Sequence, residues 1–174
     1  MRYRLEQPPV ESAAELAALK ATTFRQAFAA ANDPVDLAAH LERAFAVETI
    51  SAELLDPHCD TTWVMDDERP VAYLKVNFGT TQTEPGLSDG LEVEQLYVLA
   101  SHHGQGLGGL LLDLAAEKAR ERGLAFVWLG VWEQNTNAIS MYRHRGYQEF
   151  ADHVFMFGED AQRDVLMRLN LKST

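Results

Sequence analysis

A single cysteine, Cys59, occurs in the 174 residues of this chain. No internal disulfide can form, and a reducing compartment, the cytoplasm, is the expected home. No nucleophile motif surrounds Cys59, so packing is its expected role. Long apolar runs are missing too. Nothing approaches the roughly 20 residues that span a bilayer, and the N-terminus lacks a signal-peptide pattern, so no membrane partner is expected. Basic residues are scarce: 15 Lys and Arg stand against 26 Asp and Glu, for a net charge of −11. That balance argues against nucleic acid, which wants a basic face. Metal-ligand spacing is absent as well. His102 and His103 are adjacent, which is poor spacing for two ligands of one ion, and no Cys or His partner lies at a useful offset. No metal site is expected.

What is present is ample apolar material, 47% of residues, enough for one sizeable core in a single domain over residues 1–174. The charge is uneven. Residues 1–100 hold 17 acids against 7 bases, and residues 101–174 hold 9 against 8. A cationic small molecule would be attracted to such a surface, although acids that merely keep a protein soluble would look the same.

Periodicity and punctuation order the elements. A short strand at Tyr3–Leu5 precedes Ser12-Ala13-Ala14-Glu15, a capping-box sequence ahead of a helix to about Ala31. Asp33-Pro34 opens a second helix, with Asp as cap and Pro in the first turn. A third, near Thr49–Leu55, stops before Pro57. Thr61–Met65, a turn over residues 66–70 and Val71–Asn77 form a predicted hairpin. Gly79–Gly90 is a loop and Leu91–Val98 a central strand. A helix over Gly108–Arg122 ends at Gly123. Phe126–Val131 is a buried strand, Thr136–Arg145 a helix ended by Gly146, and His153–Phe157 with Gln162–Asn170 a closing strand pair. The outcome is one α/β domain with a mixed sheet.

The segment Leu91–Arg122 carries the most information: strand, glycine loop, helix. Gly104, Gly106, Gly108 and Gly109 let the backbone approach a ligand, and the helix that follows offers unpaired N–H groups and a positive dipole end. This is a cradle for phosphate. A P-loop would need a lysine that is not here. Gly104-Gln105-Gly106-Leu107-Gly108-Gly109 fits the dinucleotide pattern, but no acid follows the next strand, which ends in Leu129, Gly130 and Val131. The dinucleotide reading is weak for that reason but stays open, and coenzyme A is a third reading, which rests on a resemblance.

Leu96-Tyr97-Val98, His103-Gly104-Gln105-Gly106-Leu107-Gly108, and Asn135-Thr136-Asn137-Ala138-Ile139-Ser140-Met141-Tyr142 with Arg145-Gly146-Tyr147 together resemble the GNAT superfamily of N-acetyltransferases. The likeness implies an α/β (α+β) fold with a mixed, mostly antiparallel sheet, a splayed central strand pair and flanking helices. It implies acetyl-CoA as co-substrate. Leu96, Tyr97 and Val98 would hold the pantetheine arm, and Gly104, Gln105, Gly106, Leu107, Gly108 and Gly109 the pyrophosphate. His103 stands where the family has Gln or Arg; a loop histidine in solvent is its other reading. Asn135 resembles a cofactor-contacting asparagine, and could equally cap the helix that starts at Thr136.

The same resemblance implies catalytic roles. Tyr142 matches the tyrosine placed beside the thioester sulfur, where a phenol can donate a proton; the bland alternative packs it with Ile139 and Met141. The Val98 N–H would be the oxyanion donor. Glu92 and Glu94 are two apart in a strand and so share a face. Two acids there are unusual, because a buried charge is costly unless paired or used. Glu92 lies where some family members keep a glutamate that takes the amine proton through water, and Glu94 would share that work or hold a cationic substrate. Glu133 is a third acid nearby.

Tyr73-Leu74-Lys75-Val76-Asn77, Leu91-Glu92-Val93-Glu94, Trp128-Leu129-Gly130-Val131-Trp132-Glu133 and Phe157–Asp164 resemble the PaiA type of bacterial GNAT enzyme. That type acetylates spermidine and spermine. The implied reaction is acetyl transfer from acetyl-CoA to a primary amine, with spermidine or spermine favoured. A protein N-terminus, a lysine or another small amine is the alternative acceptor, and an acyl-CoA-binding module without turnover the alternative outside enzymes. A homodimer is left open.

Overall fold

The computed structural model describes residues 3–171. Seven strands form one sheet in the order β1-β2-β3-β4-β5-β7-β6. They are β1 (Tyr3–Glu6), β2 (Cys59–Asp66), β3 (Arg69–Asn77), β4 (Gly90–Val98), β5 (Phe126–Trp132), β6 (Gln148–Phe157) and β7 (Asp160–Asn170). The helices are α1 (Ala13–Phe28), α2 (Pro34–Ala44), α3 (Val47–Leu55), α4 (Leu107–Glu121) and α5 (Thr136–His144). The sheet is mixed: β1 with β2, β5 with β7 and β6 with β7 are antiparallel, while β4 and β5 are parallel.

The chain packs as two compact units. One holds the chain up to Val76 with Gln95–Leu112, the other Asn77–Glu94 with the chain from Asp113 onward. Both β4 and α4 run from one unit into the other.

In the first unit, Leu16, Leu19, Phe45, Ile50, Trp63, Met65 and Tyr73 build the core, with Phe24, Tyr97 and Leu99 packed against it. Two buried lysines share one carboxylate there: Lys20 Nζ lies 2.8 Å from Glu53 Oε2 and Lys75 Nζ lies 2.7 Å from Glu53 Oε1. The cluster ties α1 and β3 to α3. Burial works to raise the Glu53 pKa, but the charges and hydrogen bonds of Lys20 and Lys75 outweigh it and hold the carboxyl below its ordinary value.

Local chemistry decides where these elements start. The Asp33 side chain accepts from the backbone N–H groups of Val35 and Asp36, as its place before Pro34 foretells. The capping box at Ser12 does not form. Ser12 belongs to a 3-10 turn, Val10–Ser12, with φ −90° and ψ 10°, and makes no side-chain cap. A cap needs extended backbone to bring its oxygen over the first turn. The helix also stops short, at Phe28, and a 3-10 turn covers Ala29–Ala31. The β2–β3 hairpin turns tightly through Asp67, at φ 55°, a conformation that aspartate tolerates.

In the second unit, Val127, Trp128 and Leu129 of β5 are buried on both faces, as are Val165, Leu166 and Met167 of β7. Gly90 opens β4 opposite Phe126. A Cβ at Gly90 would come within 2.1 Å of the Phe126 ring, so the aromatic occupies the space a side chain would need. The β4–β5 ladder then covers only Gly90, Leu91 and Glu92, against Phe126, Val127 and Trp128, and ends there. No helix among the described residues is long and apolar enough to cross a membrane.

Candidate active site

The sequence-derived candidates fall into two groups, one in each unit. The glycine loop belongs to the first. Gly104 and Gly106 have φ of 74° and 80°, and a Cβ built on either meets nothing within 4 Å. The backbone is therefore in a left-handed form that L side chains rarely adopt, with open space before it. Helix α4 begins at Leu107, one residue earlier than the glycine spacing predicts, and its first intrahelical bond runs from Leu110 N–H to the Gly106 carbonyl at 3.0 Å. The N–H groups of Leu107, Gly108 and Gly109 precede that bond and are the orphan donors of a helix start. From Leu99 to Leu112 no carboxylate occurs, in a chain with 26 of them. Donors, dipole, space and the lack of negative charge all fit a diphosphate.

Side chains brace this loop. His103 Nε2 lies 2.8 Å from the Val98 carbonyl, so its Nε2–H tautomer donates there. Although exposed, His103 is thus a strut across the loop, which neither sequence reading of it anticipated. Gln105 accepts from the Tyr3 hydroxyl, leaving its backbone for a ligand. The Tyr97 ring is turned to the core, stacked on Tyr73 at 5.8 Å and 27°. Any part Tyr97 plays toward a cofactor belongs to its backbone.

The second group centres on β4. Glu92 is 3% exposed. Its Oε2 accepts the Thr83 backbone N–H at 2.9 Å and Asn77 Nδ2 at 3.2 Å, and its Oε1 accepts the Thr83 hydroxyl. Asn77 Nδ2 also donates to Glu94 Oε2 at 2.5 Å. One amide nitrogen therefore bridges two carboxylates on one strand face, the pairing that their two-residue spacing predicts. Burial raises the Glu92 pKa, the hydrogen bonds from Thr83 and Asn77 oppose that rise, and the Glu94 charge adds to it. Glu94 is only half-buried.

On α5, Tyr142 is buried, its ring tilted against Tyr147 at 5.8 Å and 54°. Burial pushes its hydroxyl up to about 12, so the phenol carries its proton throughout the neutral range. Arg145 N–H and Tyr147 N–H both donate to the Tyr142 carbonyl, and Gly146, at φ 89°, closes the helix end. Asn135 realises its capping alternative: its side chain accepts from Ala138 N–H at 3.3 Å. Glu133 is engaged by Arg163 at 3.0 Å.

Two residues that hold the carboxylate pair were not among the sequence candidates. Asn77 gave a faint signal, a polar residue closing an apolar strand. Thr83, inside a loop rich in Thr, Gly, Pro and Ser, gave none.

Residues 21–147, which include the glycine loop, the carboxylate pair and Tyr142, match the acetyltransferase (GNAT) family. This chain belongs to the GNAT family. It is 36% identical over 154 residues to an uncharacterized N-acetyltransferase from the pepI 3' region of Lactobacillus delbrueckii subsp. lactis, covering 88% of this chain and 89% of that one. It is 30% identical over 77 residues to a thialysine N-epsilon-acetyltransferase of Bos taurus, covering 42% and 45%. The crystal structure of PaiA N-acetyltransferase from Thermoplasma acidophilum in complex with coenzyme A superposes with a TM-score of 0.81 at 14% identity, over 98% of this chain and all of that one. At that identity the likeness concerns the fold. This GNAT protein is an acetyltransferase, and acetyl-CoA is the co-substrate that enzymes of the fold use.

Proposed function

We propose that this enzyme acetylates a primary amine of a polyamine, spermidine or spermine, and that its whole length works as one acetyltransferase domain. The observation that carries the acceptor class is the Glu92–Glu94 pair, two carboxylates held on one face of β4 by a single amide. A polycation can be held by one acid while another takes a proton, and the acidic first hundred residues add long-range attraction.

Acetyl-CoA, when bound, supplies a thioester carbonyl open to attack by a neutral amine. The backbone N–H groups from Gly104 to Gly109 hold its diphosphate, with His103 and Gln105 fixing the loop beneath them. Leu96, Tyr97 and Val98 offer backbone to its pantetheine arm, and the Val98 N–H is the donor assigned to the carbonyl oxygen. The Glu92–Glu94 pair takes the amine proton. A raised carboxyl pKa suits that task, because a base works best near the operating pH. Tyr142 keeps a proton on its hydroxyl for the departing thiolate. Asn135 starts the helix that presents Tyr142, and its own contact to the cofactor is part of this proposal.

A lysine-like small amine is the second reading, favoured by the similarity to the thialysine enzyme over part of the chain. A thiol-release assay with acetyl-CoA and spermidine, spermine, thialysine and a lysine-ended peptide separates the two. Efficient turnover of the polyamines is expected. Turnover of thialysine or the peptide with none of either polyamine would move the assignment.

A further inference from the structure

The loop between β3 and β4 sends three consecutive side chains onto three different strands. Gln82 Oε1 accepts from Trp128 Nε1 of β5 at 2.7 Å. Thr83 gives both its N–H and its hydroxyl to Glu92 of β4. Glu84 binds His153 Nδ1 of β6, whose Nε2 lies 3.5 Å from Asp164 of β7. A loop that needed only to connect two strands would have no reason to be fastened residue by residue. Here the outer two fastenings fix the middle residue, and the middle residue grips the buried carboxylate.

Among the described residues, the donors that reach Glu92 come from Thr83 and Asn77. The neighbouring charge is Glu94 on the same strand; the loop and β3 face Glu92 with the neutral Thr83 and Asn77. Two carboxylates so close repel, and burial disfavours the ionised form of the inner one. Two donors from one residue counter both effects, since hydrogen bonds to the charged form favour it. The hydroxyl also fixes which way the carboxylate plane faces, and that fixes where the Asn77 amide, and through it Glu94, can sit.

We propose that Thr83 is the positioning residue of the β4 carboxylate pair: its N–H and hydroxyl set the orientation and charge of Glu92, and Asn77 passes that placement to Glu94. This rests on the reading above in which the pair serves the acceptor amine. Thr83 touches neither substrate in that scheme and acts through Glu92.

The test is Thr83→Val, which keeps shape and N–H but deletes the hydroxyl, beside Thr83→Ser, which keeps it. In side-chain-labelled protein, with the Glu92 carboxyl carbon resonance assigned by Glu92→Gln, Thr83→Val should titrate about one pH unit higher than wild type, and Thr83→Ser close to wild type. The acidic limb of kcat/KM, measured with whichever amine is turned over best, should move up with it in Thr83→Val and stay in Thr83→Ser. The KM for acetyl-CoA and the melting temperature of Thr83→Ser should hold. A Glu92 titration in Thr83→Val that coincides with wild type overturns the proposal, and so does a shifted titration with an unmoved limb. Wild-type protein inactive on both spermidine and spermine would defeat the polyamine reading instead, and the titration would still decide the hold of Thr83 on Glu92.

Discussion

Tyr142 is buried, and its hydroxyl is the only polar atom that distinguishes it from phenylalanine, so Tyr142→Phe tests the proton-donor role without disturbing the packing against Tyr147. Turnover should fall by the ~10²–10⁴ that lost acid help typically brings, with coenzyme A affinity kept. Its hydroxyl, pushed up to about 12, should set no limb of the pH profile in the ordinary assay range. Full turnover in the variant, with chemistry rate-limiting, would make Tyr142 a packing residue. Glu53 makes a stability prediction. Its folded pKa lies below the ordinary 4.5, so it stabilises the fold above that pH and ceases to as pH falls through the folded value. Glu53→Gln leaves two buried ammonium groups without the carboxylate they share, and should cost about 3–5 kcal/mol at pH 7. Denaturant titrations at pH 7 and pH 3 should show the deficit shrinking in acid; an equal deficit at both would contradict the ion cluster. At this scale the sequence disclosed residues whose chemistry is local. Glu92 and Glu94 share a face by strand geometry alone, and Asn135 caps the helix beside it. Thr83 was invisible because its partner is nine residues on, across a loop whose path no periodicity sets.

The glycine loop and helix α4 follow one another as the sequence order predicts, and their backbone donors and open space fit the proposed diphosphate site. What spacing alone misplaced was the helix start, which the Gly106 carbonyl sets at Leu107. Of the four glycines in this loop, Gly104 and Gly106 use the left-handed backbone that glycine permits, while Gly108 and Gly109 lie in the first helical turn. Gly106→Asp therefore adds both strain and a negative charge at the dipole end, and should weaken coenzyme A binding about tenfold or more by calorimetry. Unchanged affinity with the fold intact would remove the diphosphate assignment. Elements with an apolar run or a cap were legible: α2 from Asp33-Pro34, β5 from its apolar run, α5 from Asn135 and Gly146. The Ser12 start held, with α1 opening at Ala13, but its side-chain cap did not form because a preceding 3-10 turn took the backbone that the cap required. Strand ends also outran the spacing, as in β6, which reaches back to Gln148 through an irregularity between Glu149 and Ala151 that apolar alternation cannot show.

Over the whole molecule, charge is the property that points to an acceptor. The net charge of −11 is concentrated in the first hundred residues, while the cradle segment itself is free of carboxylates. Long-range attraction of this kind weakens as the screening length drops from ~10 Å at 0.1 M salt to ~3 Å at 1 M. The fold class and the family were legible because glycine, carboxylate and tyrosine signals occur in one order along the chain. The proposed acceptor was less so, because the carboxylate pair on which it rests is held by Asn77 and Thr83, which only folding brings to Glu92. The most direct measurement is kcat/KM for spermidine and for a neutral-bodied monoamine of similar length, at low and at high salt. Spermidine should be the better substrate, by a margin that shrinks as salt rises. Equal efficiency on both amines at both salt levels would contradict the polyamine assignment.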